Sequence, residues 1–232
     1  MNRKHAMNPM THLLVASTAF LATHYVASTP LRDVLVSVMG RAYLALYSLV
    51  AFATLGWMIW AFYHAPFVNL WYAVALRPIP LVVMPFALVF AVCALATPNP
   101  TAVGQERLLK SAGPAHGILR ITRHPLMWGF ALWALSHIIA RGDAAAAIFF
   151  GTFAVLAVSG AWLIDKRKAA SLGEAWQHFA AVTSNIPFAA IAGGRNQFRL
   201  AEIGWWKIAL GLILYAAFLM FHHQLFGAHA TM

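Results

Sequence analysis

Cysteine is almost missing: a single residue, Cys93, stands inside an apolar run. That excludes an intrachain disulfide and a multi-cysteine metal site. Charge is also scarce, since Asp, Glu, Lys and Arg make up 9% of the chain where a soluble domain carries about a quarter. So little polar surface cannot coat a water-soluble globule, and most of the exterior is expected to face lipid. The scarcity is one-sided, with 6 acidic residues against 16 Lys and Arg and a net charge of +10. A nucleic-acid binder would gather such charge on a soluble face. Here the basic residues fall between apolar runs, as charges that hold loops at an anionic membrane surface do. The expected partner is a lipid bilayer and not nucleic acid. No internal repeat is visible.

What the chain does have is long apolar runs, within a composition 62% hydrophobic. About 20 apolar residues span a bilayer. By length and charged borders, six segments emerge: Met10–Ser28, Ala42–Tyr63, Leu81–Thr97, Leu126–Ala140, Ala144–Ile164 and Trp205–Phe226. The expected fold class is therefore all-α and integral to the membrane, with about six transmembrane helices and a longer cytoplasmic segment between the fifth and sixth. The fourth run is short and begins at Pro125, while Pro98-Asn99-Pro100 breaks the chain after the third. In the segment Asp165–Ile203, residues Gly173–Ala192 mix Trp176, Phe179, Ile186 and Phe188 with polar residues, which suits an element lying on the membrane face. At the start, Arg3, Lys4, the run Leu13–Ala22 and the small residues Val26-Ala27-Ser28 imitate a signal peptide. His24 and Tyr25 sit badly in its cleavage region, so an uncleaved first helix is expected.

Loops after the odd-numbered helices carry Arg32, Arg41, Arg107, Lys110, Arg120, Arg123, Lys166, Arg167, Lys168, Arg195, Arg199 and Lys207. The other side has Arg3, Lys4, Arg77 and Arg141. The positive-inside rule then places the odd-numbered loops in the cytoplasm and both termini outside.

Ionisable side chains within a span are costly and point to function. His24 lies near the inner end of the first segment, His137 well inside the fourth, and His124 at the mouth of the fourth before Pro125. The plain alternative is an imidazole hydrogen-bonded within the bundle or reaching the interface. Two embedded histidines on separate helices also match the paired imidazoles that hold haem iron. His24 is eight residues from Arg32, and His137 is twelve from Pro125. At about 1.5 Å rise per residue they lie roughly 12 and 18 Å from the inner border, an offset of about 6 Å. His124 precedes His137 by thirteen residues, about 220° around a continuous helix, so the two should not share a ligand. Arg123 and His124 stand where a helix N-terminus offers free N–H groups, which suits either an anion site or an anchor that fixes helix depth. Gly129, Ser136 and Ala140 form a small-residue face for helix packing.

Three strings carry a resemblance. Thr122-Arg123-His124-Pro125-Leu126-Met127-Trp128-Gly129 continues through Trp133 and His137 to Gly142-Asp143. Asn99-Pro100-Thr101-Ala102-Val103-Gly104-Gln105 precedes it, and Gly173-Glu174-Ala175-Trp176 follows, with Thr183-Ser184 and Pro187-Phe188. Together with His24 they resemble the NnrU family over most of the chain, which makes 1–232 a single NnrU-like transmembrane domain. The resemblance implies a bacterial inner-membrane protein with periplasmic termini and an association with nitrite and nitric-oxide reduction, so that respiratory or nitrogen-oxide reductase components are expected partners. The family is in turn similar to the zeta-carotene cis–trans isomerases, integral membrane haem-b enzymes. That similarity implies haem b as cofactor, with His24 and His137 as iron ligands and His124 as a further signature histidine; Arg123 joins the cofactor-binding set. Where the isomerases have a cysteine, this chain has Ala134, so ligand-switching catalysis does not carry over. Arg123-His124-Pro125 with Gly129 also resembles the membrane methyltransferases that use S-adenosylmethionine, yet Asp165-Lys166 stands in place of their acidic pair. A methyltransferase-like enzyme and a non-catalytic accessory protein for a respiratory complex are the alternatives.

Overall fold

A computed structural model describes residues 7–111 and 113–227. Arg3, Lys4, His5 and His229 lie outside the described residues. Helices dominate: α1 (Pro9–Val26), α2 (Leu31–Met39), α3 (Ala42–His64), α4 (Ile79–Ala96), α5 (Pro125–Arg141), α6 (Ala144–Val182), α7 (Ala189–Ala192), α8 (Leu200–Ile203), α9 (Trp205–Met220) and α10 (His222–Phe226), with short 3-10 turns between some of them. No strand forms among the described residues; one isolated bridge joins Asn69 to Asp143.

The ends of these helices follow from local chemistry. Asn8 caps α1, its side chain accepting from the Met10 N–H at 2.9 Å, and Pro9 opens the first turn, where a missing N–H is harmless. Pro125 does the same for α5. That helix stops at Gly142, whose left-handed backbone (φ 64°) lets its N–H reach the Ile138 carbonyl. The next residue, Asp143, caps α6 through the Ala146 N–H at 2.9 Å while its other oxygen accepts from Arg141. One turn thus closes one helix and opens the next.

Neighbouring helices pack in the order α3, α1, α6, α5, α4, α9. The largest buried cluster lies among α1, α3, α5 and α6, built on Leu13, Phe20, Met58, Phe149 and Phe150. The expected small-residue packing face is seen at Gly129, where a Cβ would stand 2.9 Å from the Ala87 carbonyl of α4. Three helical stretches are long and apolar enough to cross a membrane: Ala42–His64, Val74–Ala96 and Ala144–Val182. The α9 helix is apolar but shorter, and α5 has 17 residues. Their outer faces carry Leu49, Phe52, Val82, Phe86 and Val155 in exposed positions, the side chains a lipid-facing helix presents.

Two expectations need correction. The fifth segment does not end at Ile164: α6 runs on to Val182, bending at Gly173, where φ is 52°. The charges that mimic an end are absorbed, since Lys168 is buried against Glu106 and Arg167 donates to the Ala27 carbonyl at 2.7 Å. Burial raises the Glu106 carboxyl, but its hydrogen bonds to Lys168 and to the backbone outweigh this and leave it below the ordinary value. Within the segment 173–192, Trp176 and Phe179 are buried against Leu109, Ala115 and Leu172, while Ile186 and Phe188 are exposed. The last segment is also interrupted, with α9 ending at Met220 and α10 starting at His222.

Candidate functional site

The three signature strings, far apart in sequence, converge at the N-terminal end of α5. The Arg123 N–H donates to the Ser184 carbonyl at 2.9 Å, and the Arg123 carbonyl accepts from Asn99 Nδ2 and Thr101 Oγ1, each at 3.1 Å. The Thr122 hydroxyl and the Trp128 indole N–H both donate to the Asn185 carbonyl. Buried backbone groups need partners, and these strings supply each other's.

At the centre stands Asp165 of α6, a residue the sequence offers only as the remnant of an acidic pair. Arg123 grips it with Nε (2.9 and 3.1 Å) and Nη2 (2.5 Å), and the fully shielded His124 donates from Nε2 at 2.6 Å. Asn185 Nδ2 adds a longer contact at 3.4 Å, and the Arg123 guanidinium lies over the Trp176 ring at 5.7 Å. Asp165 thereby neutralises the guanidinium and fixes the imidazole, joining the mouth of α5 to α6. Arg123 and His124 thus tie two helices together. A second ion pair braces the same region: Arg120 binds Glu202 in two-pronged fashion at 2.7 and 3.1 Å. The Arg120 hydrogen bond, helped by the Gly117 N–H, holds the Glu202 carboxyl down at about 2.

His24 and His137 lie elsewhere, on the aromatic cluster shared by α1, α5 and α6. His24 packs on Phe20 (centroids 4.1 Å), Phe20 meets Phe153 (5.4 Å), Phe153 meets Trp133 (5.0 Å), and Trp133 meets His137 (6.0 Å). His137 also stacks on Phe150 at 5.0 Å. Phe153, the middle ring of this chain, and Phe150, which stacks on His137, are three residues apart on α6, about 4.5 Å of helix rise. Each histidine directs Nδ1 to the carbonyl four residues back, His24 to Phe20 and His137 to Trp133, both at 2.8 Å. A carbonyl only accepts, so Nδ1 carries a proton in both rings, and Nε2 is the nitrogen left to act as a ligand. Metal-bound histidines use the same arrangement, with the second ring nitrogen held by a backbone acceptor. Each ring thus offers an Nε2 donor of the kind that holds haem iron, and the rings of Phe20, Phe153 and Trp133 lie between the two histidines. Among the described residues no group of three or more His, Cys, Asp or Glu side chains is placed to hold a bare metal ion. Ala134, where the resemblance would put a thiol, is buried.

The structure thus gathers Arg123 and His124 around Asp165, and sets His24 and His137 on one aromatic cluster. Sequence reading missed Asp165, whose signal was a lone carboxylate ending a long apolar run. It also missed Tyr47, which meets His24 from α3, and Tyr43, which stacks on Tyr47.

Comparison with known proteins agrees with these motifs. The chain is similar to the chloroplastic 15-cis-zeta-carotene isomerase of Zea mays, 36% identical over 104 residues, 41% of this chain and 28% of that protein. It is similar also to the enzyme of that name from Arabidopsis thaliana, 43% identical over 80 residues, 34% of this chain and 22% of that protein. The matched stretch thus spans about a quarter of the length of these relatives. No solved structure matches the chain. The family model described as NnrU protein matches residues 12–230, nearly the whole chain, and the protein belongs to the NnrU family.

Proposed function

We propose that this protein is a membrane-embedded, isomerase-like enzyme acting on a long apolar polyene, with haem b held by His24 and His137. The observation that carries the reading is the pair of embedded imidazoles, each with Nδ1 tied to its own helix and Nε2 left as the ligand nitrogen, bordering one cluster of rings. The likeness to zeta-carotene isomerases supports it. When bound, the haem would supply an iron that exchanges an electron with a conjugated chain and so eases rotation about a double bond. The protein's own share is to fix both imidazoles through the Phe20 and Trp133 carbonyls, and to keep water out with Phe20, Trp133, Phe150 and Phe153. An open apolar groove on the outer face of α6 beside Tyr25, lined by Ala154, Val155, Val158, Trp162 and Leu163, offers a surface along which an apolar chain could lie. With no thiol at Ala134, a switch of iron ligand forms no part of the proposal.

Protein purified in detergent from haem-replete cells is expected to show a low-spin Soret band. His24→Ala or His137→Ala should strip most of the haem or convert it to a high-spin form, while His124→Ala, bound to Asp165, should leave the spectrum of the folded fraction unchanged. Chromatography of 15-cis-zeta-carotene incubated with the wild type should show loss of the cis isomer, abolished in either ligand variant. A folded, colourless protein that leaves the polyene unchanged would refute the reading and return both histidines to structural roles.

The six-span inner-membrane topology is part of the same proposal, supported by the clustering of Lys and Arg on the odd-numbered loops. Reporter fusions ending after Lys168 should report cytoplasm, and fusions after Phe226 periplasm. The opposite result at both points would reverse the orientation.

A further inference from the structure

The end of the bundle that carries Asp165 and Arg167 holds a second polar group, beside His24 and separate from the Asp165 cluster. Tyr43 and Tyr47 occupy the first two turns of α3 and stack on each other at 5.9 Å, and Tyr47 meets the His24 ring at 6.2 Å. Arg167, two residues past Asp165 on α6, reaches the same end of α1 as His24. It spends one N–H on the Ala27 carbonyl just beyond α1, and among the described residues no carboxylate pairs with it. The Tyr43 hydroxyl is shielded from solvent and has no hydrogen-bond partner among the described residues. A buried hydroxyl without a partner costs roughly 1–3 kcal/mol, and a half-buried guanidinium without an anion is also unfavourable. Tyr43 stacks on Tyr47, which meets His24, and Arg167 bonds Ala27, three residues past His24, so both deficits lie near the C-terminal end of α1, where one acceptor group could satisfy both.

We propose that Tyr43, Tyr47 and Arg167 form a carboxylate-binding site beside His24, which takes the acidic group of an otherwise apolar ligand. One guanidinium with phenolic donors matches a singly charged carboxylate, and the adjoining rings of Phe20 and Phe153 require the rest of the ligand to be apolar. Under the haem reading above, on which this assignment rests, the carboxylate is a propionate of the porphyrin that His24 ligates. A free fatty acid has the same chemistry and is the other source.

The test titrates ligand-free protein in detergent with protohaem, with its dimethyl ester, and with spin-labelled stearate. Wild type should bind protohaem about tenfold or more tightly than the ester, since a hydrogen bond to a charged group contributes about 1.5–3 kcal/mol. Tyr43→Phe and Arg167→Gln should each weaken protohaem by about that factor. Both should leave ester binding and the Soret position unchanged, because the iron ligands are intact. Equal binding of protohaem and ester by wild type, or a Tyr43→Phe protein indistinguishable from wild type toward every ligand, overturns the site while leaving haem ligation standing. If no haem binds but stearate does, and Tyr43→Phe abolishes it, the carboxylate site holds and the haem reading falls. If neither binds, both fall.

Discussion

Asp165→Ala is expected to destabilise the protein by about 3–5 kcal/mol, the magnitude for removing one partner of a buried ion pair. The side chains of Arg123 and Asp165 are each 13% exposed and that of His124 only 1%, so water cannot replace the lost carboxylate. The variant leaves a guanidinium uncompensated and an imidazole N–H without its acceptor, and it uncouples the mouth of α5 from α6. Asp165→Asn keeps one acceptor and should fall between the two. In the double variant Arg123→Met with Asp165→Ala, both charges are gone and part of the loss should return, since contacting residues are not additive. Thermal midpoints in detergent, followed by size-exclusion, read all three. A loss for Asp165→Ala within 1 kcal/mol of wild type, or a double variant worse than the sum of its parts, would show that the triad does not hold the two helices together.

This triad also marks how far the sequence can be read. Pro125 announces its helix start in the sequence, and Asn8, Gly142 and Asp143 act over the same short range, because capping depends on neighbours a few residues away. The role of Asp165 was hidden because its partners stand 41 and 42 residues earlier in the chain. The length of α6 was hidden for a related reason. Lys166-Arg167-Lys168 reads as the charged border of a span, yet Lys168 is buried by Glu106, 62 residues away. Trp176 and Phe179 have the composition of an interfacial element, and only the covering segment around Leu109 and Ala115 decides that they turn inward. The histidines behaved differently. The rise of a helix puts His24 and His137 about 6 Å apart in depth, while in the structure the rings of Phe20, Phe153 and Trp133 lie between them. The hydrogen bonds that set their tautomers run to the fourth residue back, a contact any helix offers.

Gly142→Ala is expected to cost about 3 kcal/mol, though alanine is a small change in a two-residue turn. A Cβ at Gly142 would stand 2.2 Å from the Trp71 carbonyl oxygen, and 3.0 Å from two atoms of the Trp71 indole. The first contact is backbone, so no side-chain rotation relieves it and the segment around Trp71 must move away. That segment is fastened to this turn. Leu70 and Trp71 both donate to the Gly142 carbonyl, at 2.8 and 3.1 Å, the Trp71 indole donates to the Ile139 carbonyl at 3.1 Å, and the Ala144 N–H donates to the Val68 carbonyl at 2.9 Å. Losing two or three of these bonds at about 1 kcal/mol each, together with about 1 kcal/mol for a left-handed alanine, gives the expected figure. Gly227→Ala isolates the second contribution. Gly227 ends α10 in nearly the same conformation (φ 68°, ψ 13°, against 64° and 23° at Gly142), but nothing lies within 4 Å of its would-be Cβ. Its substitution should cost about 1 kcal/mol or less. Equal losses for the two variants would mean that backbone strain alone operates at Gly142, and that the 68–71 segment does not clamp the turn between α5 and α6.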